Sequence, residues 1–360
     1  SVWLDDIHRG LLDSGEFQTF IDQYAVTGVT SNPAILKKAI LDHSDYDEAI
    51  ARLARTGCEA REAYESLVIE DLRRAADALR PTYDGTDGLD GYVSLEVSPH
   101  HARDLERTLE AARYLWAALD RPNGMIKVPA TTEGIAAVRT LIAEGINVNA
   151  TLLFSLSRYR DVANAYTEGL HERLRAGRDV HGVASVASFF MSRIDSLIDA
   201  RLDALAGADA EKRERIEKLR GELATASGKL AYQHFKRVFS SNGWKPLLAA
   251  GARPQRLLWA STSTKDPAYS DVKYVEALIG PQTVNTLPLK TLEAYRDHGE
   301  PEARVEIDAD QAILALTRLA ELGIDLGDCT RRLEEEGIRK FVEPYDLLLK
   351  TLGERLAAAR

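Results

Sequence analysis

Lys127 stands in the run Met125-Ile126-Lys127-Val128-Pro129, where strand alternation puts Ile126 and Val128 on one face and Lys127 on the other with Met125 and Pro129. A lysine amine can attack a ketone to give an iminium ion, an electron sink that lets the adjacent carbon–carbon bond break. The amine must be neutral to attack, and an ordinary lysine, with a pKa near ~10.4, is neutral about once in 2,500 at pH 7. Burial beside apolar neighbours lowers a lysine by ~3–5 units and removes most of that penalty. Two carboxylates are expected to share the inward side, Asp5 on the face of Trp3 and Glu96 on the face of Ser94. Acids and a base near an iminium lysine are what proton movement during carbon–carbon cleavage needs.

The elements that must position these groups follow from the pattern of the chain. Short β-rich runs fall at Val2 to Asp5, Gly28 to Asn32, Tyr92 to Val97, Met125 to Pro129, Ile146 to Leu152, Gly182 to Ser188, Arg256 to Ser261 and Thr283 to Thr286. Helical patterns separate them, such as the stripe Leu105, Leu109, Ala112, Trp116 and Leu119. Strands alternating with helices imply a parallel sheet, and eight of them imply closure into an α/β (β/α)8 TIM barrel. Extra helical material after strand two (33 to 80), after strand six (189 to 250) and at the C-terminus (308 to 360) accounts for the length, so residues 1–360 are expected to form a single domain. The charge-laced stretch Glu211 to Phe239 is expected to be a solvated insertion helix packing by one face. Asp297 to Arg304 is expected to be a solvated loop.

In a barrel the helix-facing set is apolar and the inward set can be polar. Val93, Leu95 and Val97 face outward around Ser94 and Glu96, while Ile146, Val148 and Ala150 face outward around Asn147, Asn149 and Thr151. Asp5, Asn32, Glu96, Lys127, Asn149, Thr151, Ser188 and Ser261 all fall toward the C-terminal ends of their strands, the rim where barrel enzymes keep their chemistry. Taken singly, an inward Lys or Glu is as readily half of a structural ion pair, and a strand-end Asn or Thr a turn or cap residue. Convergence from seven strands on one rim is what favours a site.

Other chemistries lack support. The eight histidines show no HExxH or paired zinc spacing, and no GxGxxG or GxxxxGK loop is present, so neither a metal nor a nucleotide cofactor is expected. A formal charge of -10 argues against a general nucleic-acid binder, although a small anion needs only a local basic pocket. No apolar run of 18 residues and no signal pattern occur, and Cys58 and Cys329 form no disulfide framework, which together set the expectation of a cytoplasmic protein without membrane contact. The chain begins at Ser1 rather than Met, so further N-terminal residues are expected to have been removed or to be missing.

Four ordered blocks carry a resemblance: TGVTSNPAI (Thr27 to Ile35), SLEVS (Ser94 to Ser98), MIKVPATTEGI (Met125 to Ile135) and INVNATLLFS (Ile146 to Ser155). With VASFFMSRID (Val186 to Asp195) and LLWASTSTKDP (Leu257 to Pro267) they resemble the transaldolase family of the class I aldolase superfamily, in its longer bacterial form. The resemblance covers residues 2 to about 295. It implies transfer of a dihydroxyacetone unit from sedoheptulose 7-phosphate to glyceraldehyde 3-phosphate, yielding erythrose 4-phosphate and fructose 6-phosphate, with no cofactor. It further implies that Lys127 forms the Schiff base, that Asp5 is the acid/base of carbon–carbon cleavage and that Glu96 with Thr151 handles a catalytic water. Asn32, Asn149 and Ser188 would bind the dihydroxyacetone hydroxyls and Arg193 the phosphate. The sequence departs from the family at Ser261, which is followed by Thr262 and Ser263 where an arginine two residues on is usual, leaving Lys265 as the nearest cation. Ser261 and Lys265 are the expected remaining phosphate contacts.

Sugar phosphates are thus the expected partners, and both a monomer and a homodimer suit the pattern. Three rival readings stay open at this level: a simple aldolase releasing dihydroxyacetone, a non-catalytic sugar-phosphate-binding barrel, and an interaction module built on the charged insertion.

Overall fold

Strands buried on both faces are apolar outward and close-packed inward, which a closed parallel sheet with helices outside provides for eight of them. In the computed structural model, which describes residues 1–206 and 209–360, they are β1 (Val2–Leu4), β2 (Val26–Thr30), β3 (Tyr92–Glu96), β4 (Gly124–Pro129), β5 (Val148–Leu153), β6 (Ser185–Phe190), β7 (Arg256–Ala260) and β8 (Thr283–Leu287). Every neighbour is parallel, and β8 pairs back on β1 to close the ring in chain order. The architecture is therefore the (β/α)8 barrel expected from the alternation. Val93, Leu95, Ile126, Val128, Val148 and Ala150 are all buried beneath the surrounding helices.

Strand limits moved where local polar chemistry intervened. β2 runs Val26–Thr30 and stops short of Asn32 because Asn32 caps the next helix, its side-chain oxygen accepting from the amides of Ala34 and Ile35 at 3.0 and 3.1 Å. β6 starts three residues later than expected, at Ser185, and continues to Phe190. β5 carries a register shift between Ala150 and Leu153, with Leu152 at φ +59°, a conformation that a leucine adopts only under constraint from its surroundings.

The stretch Glu211 to Phe239 is not one solvated helix. It splits into Ala210–Glu217 and Leu223–Phe239, separated by a turn at Gly221 with φ +70°. The second helix buries Leu223, Ala224, Ala231, Tyr232 and Phe235. It is pinned by Asp195, which accepts from the Ala224 amide at 2.8 Å and the Tyr274 hydroxyl at 2.9 Å. It packs by one face, as expected, and the break at Gly221 is what makes two helices of the expected one. The expected loop begins at Gly299, two residues later than Asp297, because the helix Leu289–His298 keeps Asp297 and His298.

The C-terminal helix, Leu326–Ala358, crosses to the barrel rim. It approaches β5 closely at Gly337, where an added Cβ would lie 3.2 Å from Leu152 and 3.4 Å from Phe154. Arg355 then donates to the carbonyls of Ile40 and Leu41 at 3.0 and 2.9 Å, tying this helix to the end of the helix Pro33–Asp42. Both helices thereby hold fixed positions over the strand ends.

Candidate active site

Lys127 is at the centre of the barrel and almost fully buried. Its Nζ donates to the Ser31 carbonyl at 2.9 Å and lies 3.7 Å from Glu96 Oε2, since β3 and β4 pair Glu96 directly with Lys127. That separation gives an ion pair without a hydrogen bond. Neither Glu96 oxygen meets a hydrogen-bonding protein atom among the described residues. Burial raises its carboxyl to about 7, against the opposing pull of Lys127. A carboxyl with that value is both donor and acceptor near neutral pH.

Asp5, immediately after β1, accepts from the Thr30 hydroxyl at 2.6 Å, and Thr30 shares a second 2.6 Å contact with Thr286. Burial raises the Asp5 carboxyl as well, opposed by Lys127 and by the Thr30 hydrogen bond. Asp5 and Lys127 open together into a cavity of about 330 Å³ at the strand ends. Ser188 also faces it, its hydroxyl donating to Asn149 Oδ1 at 2.6 Å. Asn149 in turn donates to Ser94 Oγ at 3.1 Å.

The far side of the cavity is cationic. Arg193 is the second residue of the helix Ser192–Leu205, close to the positive end of its dipole. Its guanidinium packs over Phe190 and Phe341, and Nη1 is buried without a hydrogen-bonding protein partner among the described residues. Burial pulls Arg193 below its ordinary value, against the nearby carboxylates Asp5, Glu336 and Glu96. Lys265 lines the same side and donates to Ser263 Oγ at 2.8 Å; burial lowers its ammonium, and Arg193 lowers it further. Two cations held near each other, with a guanidinium nitrogen unmatched, have the charge and the spare donors that an anion would need. Ser261, at φ +53°, presents its hydroxyl beside them and meets Ser192 Oγ at 2.9 Å. No cluster of His, Cys, Asp or Glu suited to a metal ion occurs among the described residues.

A family model described as "Transaldolase/Fructose-6-phosphate aldolase" matches residues 2–352. The chain belongs to this family. It is 47% identical over 360 residues to a protein named transaldolase from Parafrankia sp. strain EAN1pec, covering 100% of this chain and 96% of that one. It is 48% identical to the transaldolase of Thermobifida fusca strain YX (99% and 96% covered) and 45% identical to that of Trichodesmium erythraeum strain IMS101 (99% and 95%).

In this transaldolase-family barrel, seven of the ten residues singled out from the sequence line the cavity: Asp5, Asn32, Lys127, Ser188, Arg193, Ser261 and Lys265. Glu96, Asn149 and Thr151 do not. Asn149 lies beneath the floor with both ends of its amide committed to serines, so it orients Ser188 instead of facing the cavity. Thr151 is fully buried at the β5 irregularity, with Oγ1 unmatched by protein. Asn32 spends its oxygen on the helix cap, which leaves the amide NH₂ as its contribution to the cavity. The sequence reading missed Thr30, Lys38, Thr286, Lys340 and Phe341. Thr30 and Thr286 were recoverable, because each sits at a strand end beside a residue already chosen. Lys38, Lys340 and Phe341 lie on helices whose pattern is that of an ordinary surface helix, and only the fold brings them to the rim.

Among the described residues no helix is long and apolar enough to cross a membrane.

Proposed function

We propose that the chain is a transaldolase acting on sugar phosphates in the cytoplasm as a single barrel domain, passing a dihydroxyacetone unit from sedoheptulose 7-phosphate to glyceraldehyde 3-phosphate through an imine on Lys127. The observation that carries this reading is the shared cavity, with Lys127 and Asp5 at its floor and Arg193 with Lys265 at its far side. A substrate anchored there by its phosphate presents its ketone end to the lysine.

The lysine nitrogen adds to the ketone carbon, and loss of the carbinolamine hydroxyl as water, protonated by Glu96, leaves the iminium. Asp5 then takes the proton from the C4 hydroxyl as the C3–C4 bond breaks, and the bonding pair moves into the iminium to form an enamine. Erythrose 4-phosphate leaves, and the three-carbon enamine stays bound to Lys127. When glyceraldehyde 3-phosphate enters, the enamine carbon attacks its aldehyde, Asp5 returns a proton to the new hydroxyl, and hydrolysis frees fructose 6-phosphate. Ser188 and the Asn32 amide are suited to hold the hydroxyls of the retained unit, with Asn149 and Thr151 supporting from below. Ser261 stands beside the phosphate cations.

Borohydride reduction in the presence of fructose 6-phosphate, followed by peptide mass analysis, tests the covalent step. A stable adduct on Lys127 is expected, and an active enzyme labelled elsewhere would remove the lysine from its role. The family description also includes an aldolase. Release of free dihydroxyacetone from fructose 6-phosphate without an acceptor aldehyde, at the rate seen with one, would favour that second reading.

A further inference from the structure

Lys265 stands in the segment 261–272, which joins β7 to the helix Lys273–Ala277 with no helix or strand of its own. Its ammonium donates to Ser263 Oγ, and the charge beside it, Arg193, repels it. A lysine on an irregular segment, pushed by a like charge, turns away into solvent unless the backbone that carries it is braced. Here it is braced on both sides. Before Lys265, Thr262 Oγ1 donates to the Thr286 carbonyl of β8 at 2.9 Å. After it, two ties run to the helix Ser192–Leu205, which carries Arg193 near its start. The Tyr269 hydroxyl donates to Oδ2 of the buried Asp199 at 2.8 Å. Arg220 pairs through Nη1 with Asp203, one turn further along that helix, and through Nη2 with Asp266 Oδ2 at 3.4 Å. Asp266 directly follows Lys265.

Both ties meet at the turn formed by Arg220 and Gly221. The Gly221 amide donates to Asp199 Oδ1 at 3.0 Å, so one carboxylate holds the turn and Tyr269 together. The Gly221 carbonyl accepts from Lys273, whose ammonium lies 4.1 Å from the centre of the Tyr269 ring. With φ at +70°, and with an added Cβ falling 2.4 Å from Lys273 Nζ and 2.7 Å from Tyr269 Cζ, the position calls for glycine on both counts. This turn is the break that splits the stretch after β6 into two helices. That stretch is already held by the buried face of Leu223–Phe239 and by Asp195. What the turn adds is a fixed link between the segment of Lys265 and the helix of Arg193. None of Asp199, Asp203, Arg220, Gly221 and Tyr269 lines the cavity.

We propose that Arg220 and Gly221, with Asp199 and Tyr269, form a bracket that holds Lys265 against the repulsion of Arg193, so that the inserted helices set how tightly the barrel grips a substrate phosphate. The inference rests on the reading of Arg193 and Lys265 as the phosphate cations. Arg220 and Tyr269 are positioning residues: neither reaches the cavity, and each acts on the anion only through the backbone that carries Lys265. The acidic ends of the bracket stand on the outer side of that segment, at Asp199, Asp203 and Asp266, where they offset cationic charge without competing for the anion.

The test loosens the bracket and reads the anion directly. Tyr269→Phe, Arg220→Met and the two combined are made in the full chain, with and without Lys265→Ala, and folding is followed by thermal melting. Binding of inorganic phosphate is measured by titration calorimetry at low salt. The double variant is expected to bind phosphate about fivefold more weakly, short of the loss on removing Lys265 itself, and to raise KM for fructose 6-phosphate by the same factor at unchanged kcat. Borohydride trapping of unphosphorylated dihydroxyacetone on Lys127 should stay at the native level, and Arg220→Lys should recover most of the phosphate affinity lost in Arg220→Met. The deciding comparison is non-additivity: with Lys265 already replaced by alanine, the same substitutions should cost nothing further. Native phosphate affinity in the folded double variant, or an equal loss with and without Lys265, would overturn the bracket; should the double variant not fold, Tyr269→Phe alone decides by the same comparison. A chain that loses phosphate in this pattern yet never traps on Lys127 would uphold the bracket and overturn the proposed function.

Discussion

Two buried ion pairs in this molecule have the same chemistry on paper and opposite characters in space. Arg9 and Asp71 have side chains 9% and 6% exposed; Lys127 and Glu96 are at 5% and 2%, so burial does not distinguish them. Arg9 donates to Asp71 Oδ1 through Nε and Nη2 at 3.0 and 2.9 Å, and the Tyr46 hydroxyl donates to Oδ2 at 2.8 Å while accepting the Arg9 amide at 2.9 Å. Every strong polar site of that carboxylate is matched within the protein. Lys127 and Glu96 stay 3.7 Å apart, and Glu96 has no hydrogen-bonding protein partner among the described residues. A matched pair repays its desolvation and fixes the fold around it. An unmatched one has paid desolvation for bonds to be made with something that arrives later.

The comparison makes opposite predictions for the two carboxylates. Asp71→Asn leaves Arg9 buried with a neutral partner, and breaking a buried pair costs ~3–5 kcal/mol. Glu70 lies 3.0 Å from Arg9 and retains part of the pairing, so a loss near the lower end is expected in denaturant unfolding. Turnover per folded molecule should be unchanged, and a large fall in kcat at unchanged stability would erase the distinction. Glu96→Gln should do the reverse, lowering kcat by roughly 100- to 1,000-fold, the worth of one acid–base group, or about 3–4 kcal/mol of barrier.

Glu96 also gives the pH dependence its sign. Its folded value, about 7, is above that of an ordinary glutamate, so folding favours the protonated form. That contribution to stability is complete below the unfolded value and is lost as pH rises through 7. Glu96→Gln, neutral at every pH, should therefore melt progressively higher than the native protein between pH 5 and 8. The limb of kcat/KM near pH 7 should vanish with it. Parallel melting curves across that range would show that Glu96 is matched after all.

Much of the barrel was legible because short β-rich runs alternate with helical patterns and because β3, β4 and β5 keep a clear period-two alternation. Lys127, Asp5 and Glu96 were legible for the same reason: a charged residue on an inward face breaks an apolar rule. The division of labour at the rim was not. Glu96 and Lys127 are neighbours across β3 and β4, yet only Lys127 lines the cavity at the strand ends, and no spacing encodes which member of a pair reaches it. The Leu152 conformation that accompanies the burial of Thr151 is a local backbone choice made under tertiary constraint. Lys340 and Phe341 reach the rim only because Gly337 lets their helix approach β5 and Arg355 ties it to the Ile40 and Leu41 carbonyls. Those contacts join residues up to 315 apart in the chain.

The smallest expected effect concerns the cations, where the comparison of matched and unmatched groups can be sharpened. Lys265 has one neutral protein partner, the Ser263 hydroxyl, and its charged neighbour Arg193 is repulsive. Such an arrangement costs stability when empty and is relieved by an anion. Lys265→Ala is therefore expected to leave the melting temperature unchanged or slightly raised. KM for fructose 6-phosphate should rise about tenfold, corresponding to roughly 1.4 kcal/mol, with kcat little altered. Because a partly exposed point charge is screened, the difference in KM between native and variant should shrink as ionic strength rises. Lys265→Arg, which keeps the charge, should recover most of the affinity. If Lys265→Ala binds the phosphorylated sugar as tightly as the native enzyme at low salt, Arg193 and the hydroxyls hold the phosphate without it, and Lys265 is a loop lysine whose nearness to Arg193 has no bearing on recognition.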